Sequence, residues 1–132
     1  MFQITISGRP QTQQRARVTR NGVYYKKEAK EAMKHTEQQM LVAMHLQHFP
    51  CIEGACRVHI EAVYARPKRL GKGFRVIKAT MPDCDNIAKF YLDCLNRVDF
   101  WTDDKLCADL RVTKFYCADY EQPHTTITIE AL

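Results

Sequence analysis

Residues 82–104 read PDCDNIAKFYLDCLNRVDFWTDD and combine a helix pattern with flanking aspartates. Four apolar residues recur in this stretch at three- and four-residue steps: Ile87, Tyr91, Leu95 and Val98. Side chains with that spacing share one helix face, which predicts an amphipathic helix over Asn86–Val98. Asp83 or Asp85 is suited to cap its N-terminus.

The same stretch places aspartates around one lysine. Asp85, Lys89 and Asp93 are spaced by four and share another face of the predicted helix. Asp83 precedes the helix, and Asp103-Asp104 follow it on a connection that can fold back. Mg²⁺ prefers oxygen ligands, and phosphodiester hydrolysis needs a cation that activates water and offsets charge at phosphorus. A nearby lysine can hydrogen-bond a phosphate oxygen in the transition state. The pattern predicts a metal-dependent nuclease with four carboxylates gathered near Lys89.

A purely structural interpretation of these residues also stands. Asp83 and Asp85 can serve only as helix caps, and Lys89 can pair with the carboxylates four residues before and after it. Asp103-Asp104 can form an exposed turn.

The rest of the chain predicts one α+β domain over residues 1–132. Alternating apolar residues predict four strands: Phe2–Ile6, Cys56–Ala65, Leu106–Tyr116 and Thr125–Glu130. A second helix is expected over Lys26–Gln47, and Asn21-Gly22 predicts a hairpin turn between Arg17–Arg20 and Val23–Tyr25. Residues 66–80 are expected to form a loop. This element order favours a mixed or mostly antiparallel sheet with two main helices over one face.

Composition excludes several classes of protein. The chain has 132 residues, 45% of them hydrophobic, and no apolar run approaches the roughly 18 residues of a membrane span. Its N-terminus lacks a signal-peptide pattern, so we expect a cytoplasmic protein with no membrane partner. The six cysteines are then expected as reduced thiols, and the lack of a C-x-x-C pair gives no support for a zinc site.

Basic residues concentrate in two segments. Residues 1–30 carry seven Lys or Arg, and residues 66–78 carry six with no acid, in a chain of net charge +5. Such segments beside an acidic one suit a polyanion-binding surface around a cation site, although solvated loops carry similar charge runs. The candidates for phosphate contacts are Arg15, Arg17, Lys68, Arg69, Lys72, Arg75 and Lys78. Phe74 lies among them and is a candidate for base stacking.

Residues 83–104 resemble the RusA-type Holliday junction resolvases in two linked motifs. The first is D-x-D-N-x-x-K, here DCDNIAK at 83–89. The second is an aromatic pair followed by D-D, here FWTDD at 100–104, with Asp93 on the helix between the motifs. Outside 83–104 the resemblance rests on the order of the strands.

The resemblance implies a homodimeric endonuclease that resolves four-way DNA junctions by symmetric nicks. It implies dependence on Mg²⁺, with Mn²⁺ as a substitute, and no organic cofactor, in a bacterial or phage-encoded protein. Asp83, Asp85 and Asp104 match the acidic catalytic and metal-binding positions, and Lys89 matches the catalytic lysine. Asp103 matches a further acidic position, assigned here to the metal. Asn86 matches the asparagine beside the second acid and joins the DNA-binding candidates.

Two alternatives stay open at this point. One is a non-catalytic module that binds branched DNA, and the other is a nuclease that prefers flaps or forks. The chain also departs from the family pattern, because many members place basic residues directly before the first aspartate. Here that position holds ATMP at 79–82, and the nearest basic residue is Lys78.

Overall fold

A computed structural model describes residues 1–13, 17–24, 26–49 and 51–132, with only the backbone described for Arg17 and Tyr24. Within these residues, one mixed sheet contains five strands: β1 (Phe2–Ser7), β4 (Cys56–Tyr64), β5 (Val76–Ile77), β6 (Cys107–Tyr116) and β7 (His124–Ala131). The strand order is β1-β7-β4-β6-β5. β4 and β6 are parallel, whereas the other neighbours are antiparallel. The predicted α+β class and mixed sheet are confirmed.

Two helices cover one face of the sheet in the described part of the chain. They are α1 (Lys27–Leu46) and α2 (Cys84–Arg97), and both predictions are confirmed to within two residues at each end. Alternate residues of β1, β4 and β7 are buried against them, and Met40 and Leu95 are fully buried in the same core. Buried apolar residues recur every second position on the strands and every third or fourth position on the helices. This pattern places the helix layer against one face of the sheet. None of these helices is long and apolar enough to span a membrane.

The small hairpin is displaced by one residue from its prediction. β2 (Arg17–Thr19) pairs with β3 (Gly22–Tyr24), and Thr19 pairs directly with Gly22. The turn residues are therefore Arg20 and Asn21, and Asn21-Gly22 was the wrong pair. Gly22 instead opens β3 with φ +119°, a conformation that a residue without Cβ adopts readily.

Aromatic side chains fix the segment that leaves α2. Phe100 stacks on Phe49 at 4.9 Å between ring centroids and lies 5.3 Å from Phe2. Trp101 is 2% exposed and donates from Nε1 to Asn96 Oδ1 at 2.5 Å. Trp101 is therefore anchored in the core, and this anchor fixes the start of the short segment that carries Asp103 and Asp104.

Residues 66–80 contain more structure than the predicted loop. A 3-10 turn spans Lys68–Leu70, and β5 pairs with the end of β6. Arg75 forms a two-pronged ion pair with Glu121 and also lies 3.6 Å from Glu61. Short-range alternation missed β5 and the Arg75–Glu121 pair because their partners lie about 40 to 46 positions later in the chain.

Tyr91 joins α2 to the first loop and to the sheet. Its ring is 1% exposed, and its hydroxyl contacts Thr125 Oγ1 and the Gln11 backbone N–H, each at 2.9 Å. Burial raises the pKa of Tyr91 to about 12, so the hydroxyl stays protonated. The loop after β1 is thereby held against the middle of α2.

Tyr91→Phe should destabilise the protein by about 1–3 kcal/mol, because the buried Gln11 N–H and Thr125 hydroxyl lose their partner. Denaturant unfolding at pH 7 measures this. Tyr120→Phe is the matched control, since Tyr120 is 75% exposed and its loss should change the free energy of unfolding little. Equal effects of the two substitutions would contradict this role for Tyr91.

The Arg75–Glu121 ion pair predicts a pH dependence of stability. The Arg75 guanidinium lowers the pKa of Glu121 from its usual 4.5 to about 2. The stability from ionised Glu121 is therefore present above about pH 4.5 and is lost as the pH falls towards 2. Glu121→Gln should unfold more easily than the parent protein at pH 7, and the difference should shrink below pH 4.5. Denaturant unfolding across this range tests it, and a pH-independent difference would contradict it.

Candidate active site

The first acidic pair lies at the N-terminal end of α2. Asp83 occupies the N-cap position, but its side chain makes no capping hydrogen bond. Asp85 lies in the first turn, and both residues are exposed. Among the described residues, neither carboxylate has a hydrogen-bond or ion-pair partner, so the predicted capping role is wrong for the side chains.

Lys89 lies one turn further along α2 and is exposed. Within the described residues it forms no ion pair with Asp85 or Asp93, although the spacing allows both. The structural interpretation of Lys89 as a simple pairing residue is therefore not realised. The ammonium group is available to a ligand between the two ends of the helix.

The second acidic pair lies at the C-terminal end of α2. Asp104 Oδ2 accepts a hydrogen bond from Asn96 Nδ2 at 3.4 Å, and Asn96 also accepts the Trp101 indole N–H. Asp103 accepts from the Lys105 backbone N–H at 3.2 Å and so caps the 3-10 turn Asp104–Leu106. The core thus positions Asp104 through Asn96, which sequence reasoning missed because neither motif singles it out.

The two carboxyls of this pair affect each other. A hydrogen bond between them lowers the pKa of Asp103 and raises the pKa of Asp104, and partial burial raises the latter further. Two like-charged groups in contact are stabilised by a proton or by a cation. The charge and the oxygen donors of this pair are therefore suited to binding a divalent cation.

The length of α2 separates the two acidic pairs. Asn96 lies 13 residues after Asp83, which is about 20 Å at the helical rise of 1.5 Å per residue. No group of three or more His, Cys, Asp or Glu in the described residues lies close enough to hold a metal ion. The predicted gathering of four carboxylates near Lys89 is therefore not met within one copy of the chain. Sequence spacing suggested a fold-back, but Trp101 anchors the connection at the far end of the helix.

Lys114, which sequence analysis did not single out, holds the segment before Asp83. Its Nζ donates to the carbonyls of Thr80 and Pro82 at 2.7 and 2.8 Å. Lys78 Nζ donates to Thr80 Oγ1 at 2.6 Å and lies over the Tyr64 and Tyr116 rings. The sequence did contain a signal for this role, because Lys114 alternates with Val112 and Tyr116 on one face of β6. The structure thus brings two ammonium groups to the stretch that lacks basic residues in sequence.

The remaining DNA-binding candidates have different surroundings. Three are exposed: Lys68, Arg69 and Lys72. Arg75 is engaged by Glu121 and Glu61, and Asn86 is half-buried with its carbonyl accepting the Gln13 N–H at 3.0 Å. Arg15 lies outside the described residues, and Arg17 lies in β2 without a described side chain.

A cavity of about 560 Å³ lies against Met81 and Pro82, the two residues before Asp83. Seven residues line it: Arg9, Pro10, Gln11, Thr12, Tyr64, Met81 and Pro82. The Tyr64 hydroxyl is buried, has no hydrogen-bond partner within the described ranges, and has a pKa raised to about 12 by burial. The residues directly before the acidic pair therefore line a concave surface that carries one arginine.

These carboxylates fit a hard cation in donor type, and the basic residues near them fit a polyanion. The family model described as endodeoxyribonuclease RusA matches residues 7–130 of the chain. No curated protein matches it. Because the family match covers nearly the whole chain, this protein belongs to the RusA endodeoxyribonuclease family, whose members are in general nucleases that resolve Holliday junctions.

Proposed function

We propose that this chain is a Mg²⁺-dependent endonuclease that resolves four-way DNA junctions by symmetric phosphodiester hydrolysis. One observation carries the proposal beyond family membership. The carboxylates of Asp83 and Asp85 and the ammonium of Lys89 lie exposed on one helix with no ionic partner among the described residues. Two neighbouring carboxylates that no side chain neutralises are suited to bind a cation, and an unpaired ammonium group is suited to bind a phosphate.

Asp83, Asp85, Asp103 and Asp104 would hold the metal, for which Mn²⁺ is a suitable substitute because it also takes oxygen ligands. When bound, the metal supplies an activated water and offsets charge on the phosphate. Lys89 would donate a hydrogen bond to a phosphate oxygen as charge develops there. Lys114 would keep Asp83 in place through its bonds to Thr80 and Pro82.

The separation of the acidic pairs supports a homodimer. Carboxylates about 20 Å apart along a rigid helix cannot bind one ion. A two-fold axis that crosses α2 near Lys89 would bring the N-terminal pair of one copy towards the C-terminal pair of its partner. A two-fold dimer would also present two equivalent sites to the two equivalent strands of a junction.

The exposed Lys and Arg side chains of residues 66–78 would bind the DNA phosphates on either side of the scissile phosphodiester. Lys68, Arg69 and Lys72 are exposed, and Lys78 lies near the segment before Asp83. Phosphate contacts release counterions, so affinity should fall steeply with salt. Arg75 forms ion pairs with Glu61 and Glu121 and so also stabilises the loop.

Asp85→Asn should abolish cleavage of a synthetic four-way junction while binding persists, because the substitution removes a metal ligand and leaves the DNA-binding cations in place. Paired nicks in opposing strands should appear only with the parent protein and Mg²⁺, and not with EDTA. Gel analysis of a junction beside linear duplex of the same sequence measures this. Asp119 is an exposed aspartate outside α2 and outside both acidic pairs, so Asp119→Asn is the matched control and should cut normally.

Two results would contradict the proposal. Tight junction binding without cutting under Mg²⁺ or Mn²⁺ would point to a non-catalytic binding module. Faster cutting of flaps or forks than of four-way junctions would assign another branched substrate.

A further inference from the structure

Phe74 exposes 81% of its surface in a segment whose backbone is held by many hydrogen bonds. An exposed phenylalanine ring contributes little to the fold, because its apolar area stays in water. The neighbouring aromatic residues Tyr64 and Tyr116 pack at least partly against the core. Phe74 is thus an aromatic ring of this region that packing does not explain.

One arginine organises the backbone that presents Phe74. The half-buried Arg66 guanidinium donates to four carbonyls, including those of Phe74 at 2.7 Å and Cys117 at 3.1 Å. The other two acceptors are the carbonyls of Leu70 and Gly71. The chain between residues 66 and 74 therefore wraps around a single planar donor, which limits its motion.

Two glycines allow this tight path. Gly71 has φ +63° with ψ −161°, and Gly73 has φ +152°. A Cβ at Gly73 would lie 3.3 Å from Arg66 Nη2 and crowd it. Small residues at these positions let the backbone close around the guanidinium and turn the next side chain outward.

The residues on either side of Phe74 are held in place as well. The Asp119 N–H donates to the Gly73 carbonyl at 3.1 Å, and Arg75 is held by Glu121. Phe74 therefore lies between two anchored residues. A backbone fixed in this way loses little conformational entropy when a ligand stacks on the ring that it carries.

The charge around the ring selects the type of ligand. Residues 66–78 contain six Lys or Arg and no Asp or Glu. Lys68, Arg69 and Lys72 are exposed and form no ion pair with a carboxylate in the described chain. An aromatic face among unpaired cations suits a nucleobase flanked by phosphates. A second copy of the same surface would meet it with like charge.

The position also suits a substrate that reaches Asp83. Lys114, which donates to the Pro82 carbonyl, and Cys117, whose carbonyl accepts from Arg66, lie three residues apart at the C-terminal end of β6. The segments that carry Asp83 and Phe74 are therefore held by the same end of one strand. A DNA strand that passes this end of β6 can meet both segments.

We propose that Phe74 is a preorganised stacking platform for an unpaired or splayed nucleobase at the branch point of DNA. The proposal rests on the proposed function only in taking branched DNA as the substrate. Base stacking on a protein ring distinguishes open from fully paired DNA, because bases inside a duplex already stack on each other. Phe74 thereby contributes to selectivity for branched DNA over linear duplex.

The test is equilibrium binding, in EDTA, of a labelled four-way junction and of linear duplex of the same sequence. Phe74→Ala should weaken junction binding by roughly 5- to 150-fold, the range for loss of one base–aromatic stack, and leave duplex binding unchanged. Phe74→Trp should retain the selectivity. Lys72→Gln is the matched control, and it should weaken junction and duplex alike and reduce the salt dependence of both. 2-Aminopurine at the branch point should lose its protein-dependent fluorescence change in Phe74→Ala.

Two outcomes would overturn the proposal. An unchanged ratio of junction to duplex affinity in Phe74→Ala would show that the ring does not contact bases. Dissociation of a dimer by Phe74→Ala in sedimentation velocity would assign the ring to a contact between copies. Because binding in EDTA needs no catalysis, Phe74-dependent selectivity without cutting under any metal would contradict the proposed hydrolysis and still support the stacking role.

Discussion

The rigid length of α2 is the constraint on which the rest of the site depends. A helix of 14 residues is about 20 Å long and cannot be shortened without breaking its hydrogen bonds. One acidic pair is attached to each end, and Lys89 lies between them. A single metal ion cannot contact both acidic pairs of one copy across this length. A second copy of the chain is the simplest way to bring one pair of each kind together.

The packing of α2 explains why its ends are well positioned. Tyr91 bonds the loop after β1 and the final strand, and Trp101 bonds Asn96 as the chain leaves the helix. Lys114 of β6 bonds the two carbonyls that precede Asp83. Buried or half-buried groups thus fix both acidic pairs, while the carboxylates of Asp83 and Asp85 stay exposed. The fold thus separates the core, which provides stability, from the carboxylates proposed to bind the metal, which lie at the helix ends.

Much of this arrangement could be predicted from the sequence. Apolar periodicity gave both helices and all four long strands, because each buries one face against a single core. The two acidic motifs identified the family, and the family match over residues 7–130 confirms it. These features depend on local spacing, which a sequence displays directly.

Other features could not be predicted in this way, several of them because they depend on contacts between distant residues. The hairpin turn moved by one residue because Gly22 entered a strand. The ion pairs of Arg75 with Glu61 and Glu121 were not visible in the sequence. Arg66, Asn96 and Lys114 belong to no motif, since their partners are carbonyls or side chains brought near only by the fold. The distance between the acidic pairs likewise became visible only once Trp101 was placed.

Mixing two inactive variants tests the central claim most directly. Asp85→Asn and Asp104→Asn each remove one carboxylate, from opposite ends of α2. If each site combines the N-terminal pair of one copy with the C-terminal pair of its partner, a mixed dimer contains one doubly altered site and one intact site. Co-refolded variants should then regain nicking of one junction strand with Mg²⁺, while each variant alone stays inactive. No recovered activity in mixed dimers, whose formation is verified by two affinity tags, would contradict a site shared between copies.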